Sequence, residues 1–102
     1  MADFSLTIVT PEGNVFDGQV EYVSAMGIVG SLGILANHAP MICALKAGAV
    51  MVRGSETIHY AASEGTLEVR PDKKVVLLLD YAHPCDTAEA AAKKAQELID
   101  IL

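Results

Sequence analysis

The stretch Phe4-Ser5-Leu6-Thr7-Ile8-Val9-Thr10-Pro11-Glu12-Gly13 sets the pattern on which the fold is read. Phe4, Leu6 and Ile8 alternate with Ser5 and Thr7, the period of a half-buried strand, and Pro11, Glu12 and Gly13 then break it as a turn. The same grammar repeats downstream. Short groups rich in Val, Ile and Leu follow one another to Leu79, separated by Gly, Pro, Asn and Asp at intervals of roughly 8–12 residues, as in sandwiches and barrels. Val20, Tyr22 and Met26 alternate with Glu21 and Ser24, which predicts a longer second strand facing the core through those three residues. Further strands are expected at Met41–Leu45, Ala49–Arg53, Thr57–Ala61, Thr66–Arg70 and Lys74–Leu79. The last is almost continuously apolar, which suits a strand covered on both faces.

After Pro84 the period changes from two to three and four. Ala88, Ala91, Ala92, Ala95, Leu98, Ile99 and Leu102 fall on one face of a helix expected over Thr87–Leu102. Asp86 with Glu89 three residues later reads as a capping box, and Glu89 with Lys93 as a favourable i,i+4 pair. The division is thus a β domain over 1–84 and a helix over 85–102.

The chain has 102 residues, 52% of them apolar, enough for one buried core. Seven Lys and Arg against thirteen Asp and Glu give a formal net charge of −6, which repels nucleic acid. No apolar run reaches the roughly 20 residues that a membrane-spanning helix needs. Met1-Ala2-Asp3 lacks the features of a signal peptide, and a soluble intracellular chain is expected. Cys43 and Cys85 stand far apart in apolar surroundings and read as free, inert thiols.

Catalytic chemistry does not emerge from the residues. His38, His59 and His83 show no HxH or HExxH spacing, so no metal site is expected. Gly27, Gly30 and Gly33 lack the Lys-Ser/Thr that a phosphate-binding loop requires, and read as turn glycines. Asp17, Glu21, Glu64 and Glu68 read as a solvated strand face. An enzyme built on this chain would have to bring His38 together with Glu64 or Glu68. A free-standing ligand-binding module would need a concave apolar pocket.

Three segments carry a more specific signal. Gly30-Ser31-Leu32-Gly33-Ile34-Leu35-Ala36-Asn37-His38-Ala39-Pro40-Met41 resembles the G-x-x-G-I-L-x-x-H-A-P-L stretch of the epsilon subunits of F-type ATP synthases. Leu6-Thr7-Ile8-Val9-Thr10-Pro11-Glu12 with Val15-Phe16-Asp17-Gly18 and Val20-Glu21 is similar to that family's opening strands. Glu64-Gly65-Thr66-Leu67-Glu68-Val69 resembles its G-G-x-L-E-V segment, with Glu64 in place of the first Gly. The resemblance implies a flattened β-sandwich of about ten strands, a non-catalytic role in the central stalk, and no cofactor. The chain would couple rotation of the membrane carrier ring to the gamma subunit, and so to the catalytic head, from the cytoplasmic face of a bacterial plasma membrane.

Carried over residue by residue, the resemblance assigns Thr10, His38, Ala39, Pro40, Met41 and Ile42 to the gamma-facing surface. It assigns Ile28, Val29, Gly30, Ser31 and Leu32 to the carrier ring. Relatives often place acids in that second loop, and Ile28, Val29 and Ser31 imply an apolar contact instead. Where the family's Asp-x-x-Arg-Ala pattern is tied to ATP, Asp86-Thr87-Ala88-Glu89-Ala90 has Glu89, whose charge repels phosphate, so no nucleotide site is expected. Of the helical hairpin implied by the resemblance only one helix is expected in this sequence, either because the protein is naturally short or because the second helix was removed. If the chain naturally ends there, that helix is expected to dock through Leu98, Ile99 and Leu102, and restraint of ATP hydrolysis to be weak or lost.

Overall fold

The computed structural model describes residues 3–101. The strands are β1 (Phe4–Thr10), β2 (Gly13–Val20), β3 (Tyr22–Gly27), β4 (Gly30–Leu35), β5 (Met41–Leu45), β6 (Gly48–Arg53), β7 (Thr57–Ala62), β8 (Gly65–Arg70), β9 (Lys74–Leu79) and β10 (Ala82–Cys85), followed by helix α1 (Ala88–Ile101). They form two layers, β4-β3-β6-β7-β10 and β5-β8-β9-β1-β2, joined at a corner where Gly27 pairs with Leu45. This is the flattened ten-stranded sandwich that the resemblance implies. Nearly all pairings are antiparallel, and β1 alone runs parallel to its neighbour β9.

The core lies between the layers. Leu6, Ile8, Leu67 and Leu77 are fully buried from one layer and Val23, Ile34 and Val52 from the other. Removing several methylenes from the centre of such a core costs a few kcal/mol, because the neighbours relax only partly into the hole.

Two readings of the sequence are corrected here. The predicted second strand is two strands, broken at Glu21, so Val20 closes β2 and β3 starts anew at Tyr22. Val23 and Ala25 face the core, whereas Tyr22, Ser24 and Met26 are only half-buried. One residue at the corner inverts which side chains point inward. Tyr22 is instead a cover, with its ring against Gly33 and beneath the Arg53 guanidinium at 4.9 Å, and Arg53 also pairs with Glu21 at 3.2 Å. The second correction is in β9. Val75, Leu77 and Leu79 are buried, but Leu78 on the other side is 51% exposed, so the strand is covered on one face only.

Helix α1 lies across the outside of the first layer, against β6, β7 and β10. Ala91 and Ala95 are buried where they meet that layer, whose Ala61 is also fully buried yet lies outside the central core. Small side chains on both partners let the backbones approach closely. Leu98 is half-buried, but Ile99 is 44% exposed and not buried as expected, while Leu102 lies outside the described residues. The cap also differs. The Thr87 hydroxyl accepts the Ala90 N–H at 3.0 Å, so Thr87 is the N-cap and Asp86 precedes it. Thr87→Ala is expected to cost about 1 kcal/mol. Hydrogen exchange checks this: faster exchange confined to the first turn of α1 is the expected result, and unchanged rates there would count against it.

Candidate functional site

With α1 on the first layer, the outside of the second has no cover from the described residues. Strand register arranges its outward side chains in rows. Val9, Leu78, Thr66 and Ala44 stand side by side across β1, β9, β8 and β5, and the adjacent row is Thr7, Val76, Glu68 and Ile42. Ile42 is 74% exposed and Leu78 51%, in a face where Val9 and Val76 add further apolar surface. Polar groups interrupt and flank it: Glu68, between Val76 and Ile42, accepts from the Arg70 side chain at 3.3 Å, and at the edge Gln19 bonds Ser5 at 3.0 Å.

This face continues into a projecting loop. The Ile28 N–H donates to the Ala44 carbonyl at 3.2 Å, and the Lys46 N–H to Met26 at 2.9 Å, which fixes the β3–β4 hairpin to the end of β5. Gly27 pairs with Gly30, leaving Ile28 and Val29 as the two-residue turn, and Gly30 takes a φ of 140°. Turn positions usually hold polar or flexible residues. Here Ile28 is 65% and Val29 99% exposed, so the turn presents two branched apolar side chains outward. A groove of about 630 Å³ beside it is lined by Val9, Pro11, Ile28, Ala44 and Leu78, among others.

The residues singled out from sequence are not gathered at one point. Ile42 lies on the uncovered face, but Met41 beside it turns inward and packs against the core. His38, Ala39 and Pro40 are exposed on the loop before β5, at the opposite end of the sandwich from Ile28. The His38 Nδ1–H donates to the Ala39 carbonyl at 2.8 Å, and Asn37 takes a left-handed φ of 69° to form the bend. Thr10 is 8% exposed; its hydroxyl donates to the Gly13 carbonyl and accepts the Glu12 N–H, both at 3.3 Å. It holds its own turn instead of offering a contact. In the projecting loop Ser31 is exposed, but Leu32 is half-buried and packs against the core. The residues that sequence reasoning missed are Val9, Ala44, Val76 and Leu78. The signal was present, because an unbroken apolar strand suits one free interface face as well as two covered ones.

The sequence model of the family described as the ATP synthase, Delta/Epsilon chain, beta-sandwich domain matches residues 3–84. The chain belongs to this family. Its curated relatives include proteins named ATP synthase epsilon chain. That of Anoxybacillus flavithermus is 41% identical over 98 residues, covering 95% of this chain and 73% of the relative. That of Dehalococcoides mccartyi is 45% identical over 101 residues, covering 95% and 72%. The fold is also that of a chain in the Euglena gracilis mitochondrial ATP synthase, with a TM-score of 0.78 at 22% identity, covering 98% of this chain and 66% of that one. A chain of the Tetrahymena thermophila mitochondrial ATP synthase central stalk and c-ring gives 0.71 at 17% identity, covering 96% and 91%.

Epsilon chains of this family are non-catalytic subunits of the central stalk. Glu64 lies beside Lys46 and Asp80 at the same end as Ile28, with the length of the sandwich between it and His38, and Glu68 is held by Arg70. His38 and Glu64 therefore do not meet, and the Glu68 carboxylate is engaged by Arg70. Among the described residues no three His, Cys, Asp or Glu stand close enough to hold a metal ion, and no helix is long and apolar enough to cross a membrane. Burial raises the Tyr60 phenol, and burial then the nearby Asp80 charge raise Tyr81, so both phenols stay neutral at neutral pH. A cavity of about 750 Å³ between α1 and the loops is lined by Ala47, Tyr81 and Ile99 together with Lys46, Glu64 and Asp80. The family match over residues 3–84 and the epsilon-chain relatives, not this cavity, disfavour a free-standing ligand-binding module. Cys43 is half-buried, with its Sγ 3.4 Å from the Ala44 carbonyl.

Proposed function

We propose that this epsilon-type chain fastens the gamma subunit to the carrier ring through two joined surfaces, peripherally on the cytoplasmic face of a bacterial membrane. The sandwich does the docking, and helix α1 (Ala88–Ile101) covers the layer that takes no part in it. Ile42, Ala44, Val76 and Leu78, with His38, Ala39 and Pro40 at the edge, meet gamma. Ile28, Val29, Gly30 and Ser31 meet the polar loops of the ring, while Thr10 and Leu32 hold the turn and the loop in place. Glu89 and Asp86 leave the start of α1 negative, which speaks against a nucleotide there.

The observation that carries this reading is the asymmetry of the sandwich. Its own helix covers one face, and the opposite face exposes the large apolar side chains Ile42 and Leu78, spaced by Thr66 and Glu68, and leads at Ala44 to an apolar turn. A monomer gains nothing from such exposure, whereas a subunit held between two partners does. Because the turn is hydrogen-bonded to β5, torque entering at Ile28 passes directly into the gamma-facing strands.

The test is assembly with the cognate gamma subunit and ring. The wild-type chain is expected to co-purify with gamma. Ile28→Asp with Val29→Asp is expected to keep gamma but to weaken the ring contact by roughly 100-fold, the loss of two buried apolar side chains at about 1.5 kcal/mol each. ATP-driven proton pumping per ATP hydrolysed should fall accordingly. Unchanged pumping would remove the ring assignment, and failure of the wild type to bind gamma would remove the whole reading.

A further inference from the structure

At the end of the sandwich remote from Ile28 lies a second groove, of about 390 Å³. Buried Phe4 and Val75 form its floor, and Leu35, 59% exposed, forms one wall. Its charged lining is basic, Arg70 and Lys73 beside His38; Arg70 is paired with Glu68 at 3.3 Å through its Nε, which leaves Lys73 as the main source of unneutralised charge. A basic lining is unexpected in a chain with thirteen acids and seven bases. Lys73 occupies a left-handed conformation, φ 63°, at the β8–β9 turn. The His38 loop that borders the groove leads directly into β5 and Ile42, and Arg70 stands two residues from Glu68 on the same side of β8, so the groove adjoins the uncovered face.

We propose that this groove receives an acidic, amphipathic segment of the gamma subunit. An apolar side chain of that segment lies against Leu35, Phe4 and Val75, and a neighbouring carboxylate meets Lys73 and Arg70. The inference rests on the gamma-docking reading above and adds the chemistry of the partner at one end. Apolar contact along the β5–β9 face supplies most of the affinity, and the basic groove fixes which way gamma sits. Charges at an interface rim act mainly on register and association rate, and their effect fades as salt rises.

The experiment measures gamma binding at low and high ionic strength for the wild type, Lys73→Gly and Lys73→Glu. Glycine adopts the left-handed turn without strain, so Lys73→Gly is expected to melt at or above the wild-type temperature. It should nevertheless bind gamma about fivefold more weakly at low salt, the scale of one exposed ion pair. Lys73→Glu is expected to lose about tenfold or more at low salt, with both losses shrinking at high salt. Wild-type affinity in both variants at low salt, while Ile42 and Leu78 variants still lose binding, would overturn the groove assignment and leave the gamma reading standing. Absence of wild-type binding would overturn both.

Discussion

Gly65→Ala is expected to destabilise the sandwich by about 3 kcal/mol or more, an overpacking penalty at the upper end of the usual range. Gly65 opens β8 between Leu45 of β5 and Leu79 of β9, with strands on both sides. A Cβ added there would collide with the backbone carbonyl oxygen of Leu78 and lie 2.8 Å from Leu79 Cδ2 and 3.1 Å from the Leu78 carbonyl carbon. A flexible side chain can swing away; a carbonyl held in the ladder cannot. In a domain of this size each kcal/mol shifts the melting temperature by about 4–8 °C, so a fall of about 12–24 °C is expected. Circular dichroism melts of the variant, with Glu64→Gly as its companion, measure it. Glu64 is exposed, and its replacement should change stability by only about 1 kcal/mol or less. A Gly65→Ala protein melting within a few degrees of the wild type would show that β8 and β9 yield at this point.

Ile42→Glu combined with Leu78→Glu is expected to leave the fold intact and to abolish gamma binding. Both side chains project from the uncovered face, so neither change digs into the core. Burying two such residues at an interface is worth about 3–6 kcal/mol, a factor of about 10² to 10⁴ in affinity. A carboxylate at position 42 would also stand opposite Glu68 in the register and be repelled by it. Titration of the double variant against gamma, with melting temperature as the control for folding, gives the answer. Retained affinity in a folded variant would place gamma elsewhere. Met41 is the wrong residue for this experiment, because it packs against the core and its replacement by Glu confounds unfolding with loss of contact.

The two variants divide the E-G-T-L-E-V region and the His-Ala-Pro-Met region into parts that hold the fold and parts that face outward. Sequence pattern could not make that division everywhere. For β1 it could, since Phe4, Leu6 and Ile8 are buried as their alternation predicts. For Tyr22–Met26 it failed, because the chain turns a corner at Glu21 and alternation carries no information across a corner. Tyr22 and Met26 are apolar enough to mimic core positions, but Val23 and Ala25 are the buried ones. The capping threonine was hidden for a similar reason. Asp86 and Thr87 are both good caps, and only the backbone path selects the hydroxyl that reaches the Ala90 N–H.

By itself the sequence determined the β architecture, the terminal helix and the family, because these rest on local periodicity and on residue strings that survive without coordinates. The tertiary structure decided which layer the helix covers. Ala91 and Ala95 fit closely only over a small-residue surface, which the first layer provides at Ala61 and the second, with Ile42 and Leu78 projecting, does not. That choice leaves β5, β8, β9 and β1 bare and separates His38 from Thr10 by the length of the sandwich. Exposure of an apolar side chain depends on what packs over it, and that is a property of the assembled layers alone.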